Sequence, residues 1–282
     1  MPSTHAGTTE RAERHPSEIT EIDAGSDVGT WTSLRDYWDE DAATYDLADG
    51  HVARTAAEQA AWRALLVRLL PPGPCRILEV GAGTGALSLP LARLGHRVTA
   101  LDISPRMLDR LRAKAAEERL EVETVEGPAE RPPAGGFDVV VERLLLWTLR
   151  RPPHALAAWR AAAPGGHLLS FGGIWGAADR LEAARERVRL LLHRLRGRRP
   201  EHHAPYDRAL TERLPFGRGL GVSESVAAVE CAGWTGVRVE RLRDVEWARA
   251  ASLRFPERLL GVTPEFVVIA EDRAHRSNGG ER

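Results

Sequence analysis

Lysine is almost missing from this 282-residue chain: of 39 lysines and arginines, only Lys114 is a lysine. Schiff-base chemistry is thereby excluded at every other position. Cysteine is nearly as scarce. Cys75 and Cys231 are too few and too isolated for a disulfide framework or a zinc site, so no metal is expected. Long hydrophobic runs are missing too: "LEVGAGTGALSLPLARL" is broken by glycines and a proline, short of membrane-spanning length. The N-terminal stretch lacks the apolar core of an export signal. A formal net charge of -1 gives the whole molecule no electrostatic reason to seek nucleic acid or anionic lipid. The expectation is a cytoplasmic protein, monomer or homodimer, without nucleic-acid or membrane partners.

What is present is an ordinary globular composition, 43% hydrophobic and 28% charged, in a chain long enough for one good core. Residues 1–28 are polar without an apolar period and predict a disordered tail. Residues 29–74 predict a helical, aromatic-rich cap that stops at "PPGP". Strands and helices then alternate: strands over 76–81, 97–102, 121–126, 137–142 and 166–173, with helices over 85–94, 105–120 and 153–163 between them. Ser104 is placed to cap the second of these helices, with Pro105 at its first position. Residues 177–196 carry Leu181, Ala184, Val188, Leu191, Leu192 and Leu195 at helical spacing, inside an insertion of about 176–222. The pattern resumes with a helix at 223–232 and strands at 236–247 and 265–270. The domain is expected over 75–272 and a C-terminal tail over 273–282. Apolar strands alternating with amphipathic helices imply an α/β fold with a parallel sheet covered on both faces.

"EVGAGTGA" places Gly81, Gly83 and Gly85 between the first strand and its helix. Glycines there let the backbone turn sharply and let a ligand approach closely. Asp102 ends the next strand, where its carboxylate can accept hydrogen bonds from both hydroxyls of a ribose. Together they predict a nucleoside site. A dinucleotide fingerprint of Gly81, Gly83 and Ala86 is also satisfied. Three features favour S-adenosylmethionine (SAM) instead: the compact G-x-G-x-G loop, Glu79 near a ligand ammonium, and no cation in the loop to hold phosphate.

"ILEVGAGTGALSLPLARLGHRVTALDISPRML" resembles the first two motifs of class I SAM-dependent methyltransferases, and "EGPAERPPAGGFDVVVERLLLWTLRRPPHALAAWRAAAPGGHLLSF" resembles the remaining core motifs. The nearest flavour is the small-molecule branch similar to ubiquinone and menaquinone methyltransferases. The resemblance implies a Rossmann-like, seven-stranded, mostly parallel sheet with an antiparallel last strand, a helical cap and a lid inserted after strand five. It also implies a cofactor site. Glu79, Gly81 and Ala82 would lie along the methionine part, with Gly83 and Gly85 as the loop floor. Asp102 would bind the ribose, Ile103 and Met107 the adenine face, and Ala129 the adenine edge. Arg143 and Leu144 would lie near the sulfonium. Where the family usually has an acidic residue reaching the adenine amino group, this chain has Pro128; Glu130 is the substitute at hand.

Methyl transfer needs alignment more than acid–base help, because the sulfonium is already activated. Candidates for a base or an orienting group are His51 in the cap, Glu142 at the end of the fourth strand, and Tyr206 beside Asp207 in the insertion. Five aromatics, Tyr37, Trp38, Tyr45, Trp147 and Trp175, are expected to converge on the sheet's mouth. Trp38, Trp147 and Trp175, with Tyr206 and Asp207, would hold the substrate. Tyr45, ahead of Tyr37, would reach the cofactor carboxylate. Trp62 and Trp159 read as core. The leading reading is methyl transfer to nitrogen, oxygen or carbon of a small molecule, in specialised metabolism. A peptide or protein acceptor, a nicotinamide-dependent oxidoreductase and a non-catalytic SAM binder are the alternatives.

Overall fold

In the computed structural model the described residues are 24–48, 50–173, 184–185, 187–188, 191, 208–217, 220–253, 255 and 257–273. At its centre lies β1 (Arg76–Val80), whose last four residues are all buried, because helices cover both faces. β1 pairs in parallel with β2 (Arg97–Asp102) on one side and β4 (Val139–Arg143) on the other. β3 (Val122–Glu126) flanks β2, and β5 (His167–Gly173) flanks β4. The seven-stranded sheet has the order β3-β2-β1-β4-β5-β7-β6. β7 (Glu265–Glu271) runs antiparallel to both β5 and β6 (Thr235–Arg241). The expected α/β sheet and its antiparallel last strand are therefore both present.

Side-chain alternation divides the core into two layers. Leu78, Val80, Val140 and Leu168 face Leu156 and Trp159 of α5 (Pro152–Ala162) and Val229 of α7 (Val222–Cys231). Ile77, Val139, Val141 and Leu169 face the opposite way, onto Trp62 and Leu66 of α2 (Ala56–Leu69), Leu91 of α3 (Ser88–Arg93) and Val245 of α8 (Arg243–Ser252). This period of two decides below which strand carboxylates face the ligand and which face a helix.

Capping fixes the helices beside the sheet's mouth. At α4 (Pro105–Glu118) the Ser104 hydroxyl accepts from Met107 N–H at 3.1 Å, as its sequence position predicts. At α2, Thr55 and Glu58 form a reciprocal capping box.

Three segments depart from expectation. Helix α1 (Ala24–Asp41) begins inside the stretch read as a tail over 1–28. α3 is shorter than the helix expected over 85–94, because the glycine loop runs on into a turn. Residues 243–247 are helical rather than strand. β6 runs out of partner where Arg241 pairs with Phe266 and Leu242 N–H bonds to Glu265, the first residue of β7. Leu242, Val245 and Ala248 then bury one helical face every third residue, and Trp247 points outward.

Beyond β5, Trp175, Tyr206 and Asp207 lie outside the described residues, as does most of the helix expected over 177–196. Its described positions 184–185, 187–188 and 191 are helical. α6 (Arg208–Arg213) follows, and α9 (Glu257–Leu260) precedes β7. Among the described residues, no helix is long and apolar enough to cross a membrane.

Candidate active site

The chain order reverses between β1 and β4, and at the carboxyl ends of the strands there a cleft opens, as expected for such a switch point. It is open to solvent and spans about 790 Å³, open space included. Its floor is the turn after β1. Gly81 has φ +69°, and a Cβ there would come within 2.8 Å of the Leu145 side chain. Gly83 has φ +53°. Gly81 therefore requires glycine on steric grounds, and the left-handed φ at Gly83 favours it.

The loop spends its amides on the protein. Gly81 and Ala82 N–H donate to the Leu101 carbonyl, Gly85 N–H to Ala82, and Gly83 N–H to Asp102 Oδ2 at 2.7 Å. Asp102 Oδ1 accepts from Ser104 N–H at 2.8 Å. Asp102 is thus held at the cleft wall by backbone donors and keeps acceptor capacity beyond them. Burial pushes its carboxyl up to about 6 despite those donors.

A roof lies over the floor. Trp31, Leu34 and Trp38 recur at i, i+3 and i+7 on α1, and all three line the cleft. Trp38 is the hub of the expected aromatic cluster, with ring centroids 5.1 Å from Tyr37, 6.0 Å from Tyr45 and 6.4 Å from Trp147. Tyr45, in the short 3-10 turn Tyr45–Leu47, reaches 3.8 Å from the place a Gly83 Cβ would occupy. Burial pushes its phenol up to about 12, so it stays protonated.

Two sets of contacts secure the roof. Asp39 Oδ1 accepts from the Ser104 hydroxyl at 2.6 Å and from Arg106 N–H at 3.2 Å, tying α1 to the start of α4. Arg143 donates to the carbonyls of Gly50 and His51, stacks its guanidinium 4.8 Å from the Trp62 ring centre, and pairs with Glu265 at 3.7 Å. Arg249 joins Glu265 at 2.6 Å and Glu58 at 3.4 Å, completing a buried chain of four charges.

Of the residues singled out from sequence, Trp38, Tyr45, Gly81, Gly83, Asp102, Ile103, Met107, Ala129, Glu130, Arg143 and Leu144 line the cleft. Leu144 does so with φ +59°, a strained value for a branched side chain at the end of β4. The other described candidates lie away from the cleft wall.

Glu79 shares the Ile77 face of β1, so it turns onto α3 and accepts from the Ser88 hydroxyl instead of facing the cleft. Burial pushes it up to about 8. Ala82 is buried against Leu111 and Ala100, and Gly85 serves packing: a Cβ there would meet Leu111 at 3.0 Å. Tyr37 packs on Trp38 without lining the cleft. His51 is drawn off by Tyr45; the rings lie 4.1 Å apart and its Nδ1 is 2.9 Å from the Tyr45 carbonyl oxygen.

Glu142 shares the Val140 face and is bound by the Ser170 hydroxyl and by Leu145 N–H at 2.9 Å. It pairs with neither Arg143 nor the main cleft, and it lines, with Trp147, Ser170 and Ser225, a smaller cavity of about 230 Å³. Burial pushes it up to about 7.

Sequence reasoning missed Trp31, Leu34, Thr148, Leu149 and Arg150 as lining residues. The i, i+3, i+7 spacing on α1 was the available signal for the first two.

Residues 78–170 match the methyltransferase domain family. The chain carries a class I SAM-dependent methyltransferase domain. A ubiquinone biosynthesis O-methyltransferase of Xanthomonas campestris pv. campestris is 38% identical over 109 residues, 36% of this chain and 44% of that protein. The chain matches only about two fifths of the length of such curated relatives. Magnesium protoporphyrin IX methyltransferase from Synechocystis, solved with S-adenosylhomocysteine (SAH), superposes with TM-score 0.55 at 17% identity, covering 86% of this chain and 99% of that one. The 4+2 cyclase SpnF does so with TM-score 0.55 at 18% identity, covering 84% and 94%. At these identities the likeness is one of fold, and the cyclase shows that the methyltransferase fold is not tied to one reaction.

The described residues of the domain fit the cofactor. An anchored carboxylate, two glycines that admit close approach, and an apolar strip of Leu101, Ile103 and Met107 suit a ribose and a purine. Besides Asp102, Glu130 is the carboxylate among the described lining residues, and no described lining residue is a histidine, cysteine or lysine.

Proposed function

We propose that the methyltransferase domain binds SAM in this cleft and passes its methyl group to nitrogen, oxygen or carbon of a small molecule, of specialised or quinone-like type. The observation that carries the reading is the Asp102–Gly83 pairing. Four loop amides are already bonded to protein acceptors while a carboxylate faces the cleft, an arrangement suited to a sugar and unsuited to a pyrophosphate. The dinucleotide alternative loses ground accordingly.

SAM, when bound, supplies a methyl carbon already activated for in-line displacement. The chain's part is alignment and exclusion of water, worth up to ~7–11 kcal/mol. Asp102 accepts from the ribose hydroxyls. The neutral Tyr45 hydroxyl donates toward the cofactor carboxylate, and Arg143 and Leu144 shape the wall near the transferred group. Trp38 and Trp147 form an apolar wall for the acceptor. Glu142, raised to about 7 and set behind the cleft wall, orients that wall by accepting from Leu145 N–H. The scarcity of cysteine supports a reducing cytoplasm.

Calorimetry with SAM, SAH and NAD(H) tests the reading. SAM and SAH are expected to bind and NAD(H) to fail; the reverse order overturns it. Methyl transfer is then read from isotopically labelled SAM across phenolic, quinol and amine acceptors.

A further inference from the structure

The base end of the cleft carries an aromatic residue to which nothing so far assigns a task. Trp31 lines the cleft together with Gly127, Pro128, Ala129 and Glu130 from the loop after β3. The Arg131 guanidinium sits 4.8 Å from its ring centre, and Arg131 N–H bonds to the Pro128 carbonyl at 3.0 Å, so one residue holds both loop and ring. Tyr45 lies over Gly83 at the other end. Trp31 is two turns of α1 from Trp38, about 10 Å along the helix axis. Between these ends, Ile103 and Met107 supply an apolar surface.

Polar side chains are sparse at this end. Proline stands at 128, and the Ala129 carbonyl already accepts from Trp159 Nε1–H at 2.7 Å. A flat heterocycle placed here gains most from a π surface.

We infer that Trp31 stacks on the adenine of the bound cofactor, held in place by Arg131, and that this stacking supplies the larger share of base affinity. The inference rests on the SAM reading above.

The test titrates SAH and adenosine into the full chain and into Trp31→Phe, Trp31→Leu and Trp31→Ala variants by calorimetry. Phenylalanine keeps a π face, whereas leucine keeps only apolar bulk. Trp31→Leu and Trp31→Ala are expected to weaken both ligands roughly 5- to 100-fold, and Trp31→Phe to stay within a few-fold of the parent. Tryptophan fluorescence supplies a signature that packing alone would not give: SAH quenches the parent, and Trp31→Phe loses much of that quench while keeping its affinity. Should the leucine variant melt early, the phenylalanine pairing of kept affinity and lost quench still decides.

Equal affinity in the leucine and phenylalanine variants overturns stacking. A large loss on replacing adenine by hypoxanthine in SAH, with Trp31→Leu harmless, assigns the base to Glu130 instead. If the parent chain binds no SAH at all, the cofactor reading itself falls.

Discussion

Lys114 Nζ lies 2.6 Å from Asp46 Oδ2, so the chain's sole lysine ties the cap to α4. The same ammonium donates to the Thr84 carbonyl at 3.0 Å, and the Thr84 hydroxyl donates to Asp46 Oδ1 at 2.5 Å. Cap, glycine loop and α4 therefore meet at one three-residue knot beside Tyr45.

Cutting this knot should loosen the ligand more than the fold. The pair is about one quarter exposed on each side, which limits its worth to roughly 1 kcal/mol or less. Lys114→Met is expected to raise the SAH dissociation constant several-fold and barely shift the melting temperature. A double-mutant cycle with Asp46→Asn measures the coupling; additive effects would sever the two residues.

Asp102→Ala removes a carboxylate at the cleft and strands the Gly83 and Ser104 N–H donors. We expect SAH affinity to fall roughly 10- to 100-fold, the scale of a hydrogen bond to a charged group. Unchanged affinity would remove Asp102 from the ribose site.

Ligand binding should depend on pH through the same group. Ribose hydroxyls donate to the ionised carboxylate, whose folded-state value is raised to about 6. Affinity is expected to be level above neutrality and to fall below about pH 6, approaching tenfold per unit. An Asp102→Asn variant should lack the slope.

Stability should run the other way. Glu79 and Glu142 are raised to about 8 and about 7, so the folded state binds protons more readily than the unfolded chain. Their favourable contribution is fully present below the unfolded value and is lost as pH rises through the folded one. The ligand-free protein should melt at a higher temperature near pH 6 than near pH 8.5. Glu79→Gln, which keeps an acceptor for Ser88, should flatten that slope.

Arg249→Met leaves Glu58 and Glu265 buried without their shared cation. Urea unfolding is expected to show a loss of about 3–5 kcal/mol. A loss below about 1 kcal/mol would mean that Arg143 alone balances the cluster.

Much of this architecture is written locally. The Gly81–Gly85 loop, Asp102 and the Ser104 cap could be read because each rests on neighbours in sequence. Glu79 and Glu142 could not, since their partners Ser88 and Ser170 come from other elements and the pleat decides which face they share. The turn from strand to helix at Leu242 was equally hidden: "VRVERLRDVEW" is consistent with either period until β7 stops offering partners. Trp31 was missed for a third reason. Its i, i+3, i+7 spacing with Leu34 and Trp38 marks an inward face, and the approach of the β3 loop makes that face a wall of the cleft.

The buried charge chain joins positions nearly two hundred residues apart, with Glu58 gripped by Arg249 and the carbonyls of Gly50 and His51 by Arg143, itself paired to Glu265. During synthesis the Gly50–Glu58 segment thus emerges early, while Arg249 and Glu265 arrive only with α8 and β7. Truncating the chain before α8 would keep every cleft-floor residue and the Asp39 and Lys114 ties to α4, and would leave Glu58 without its cation.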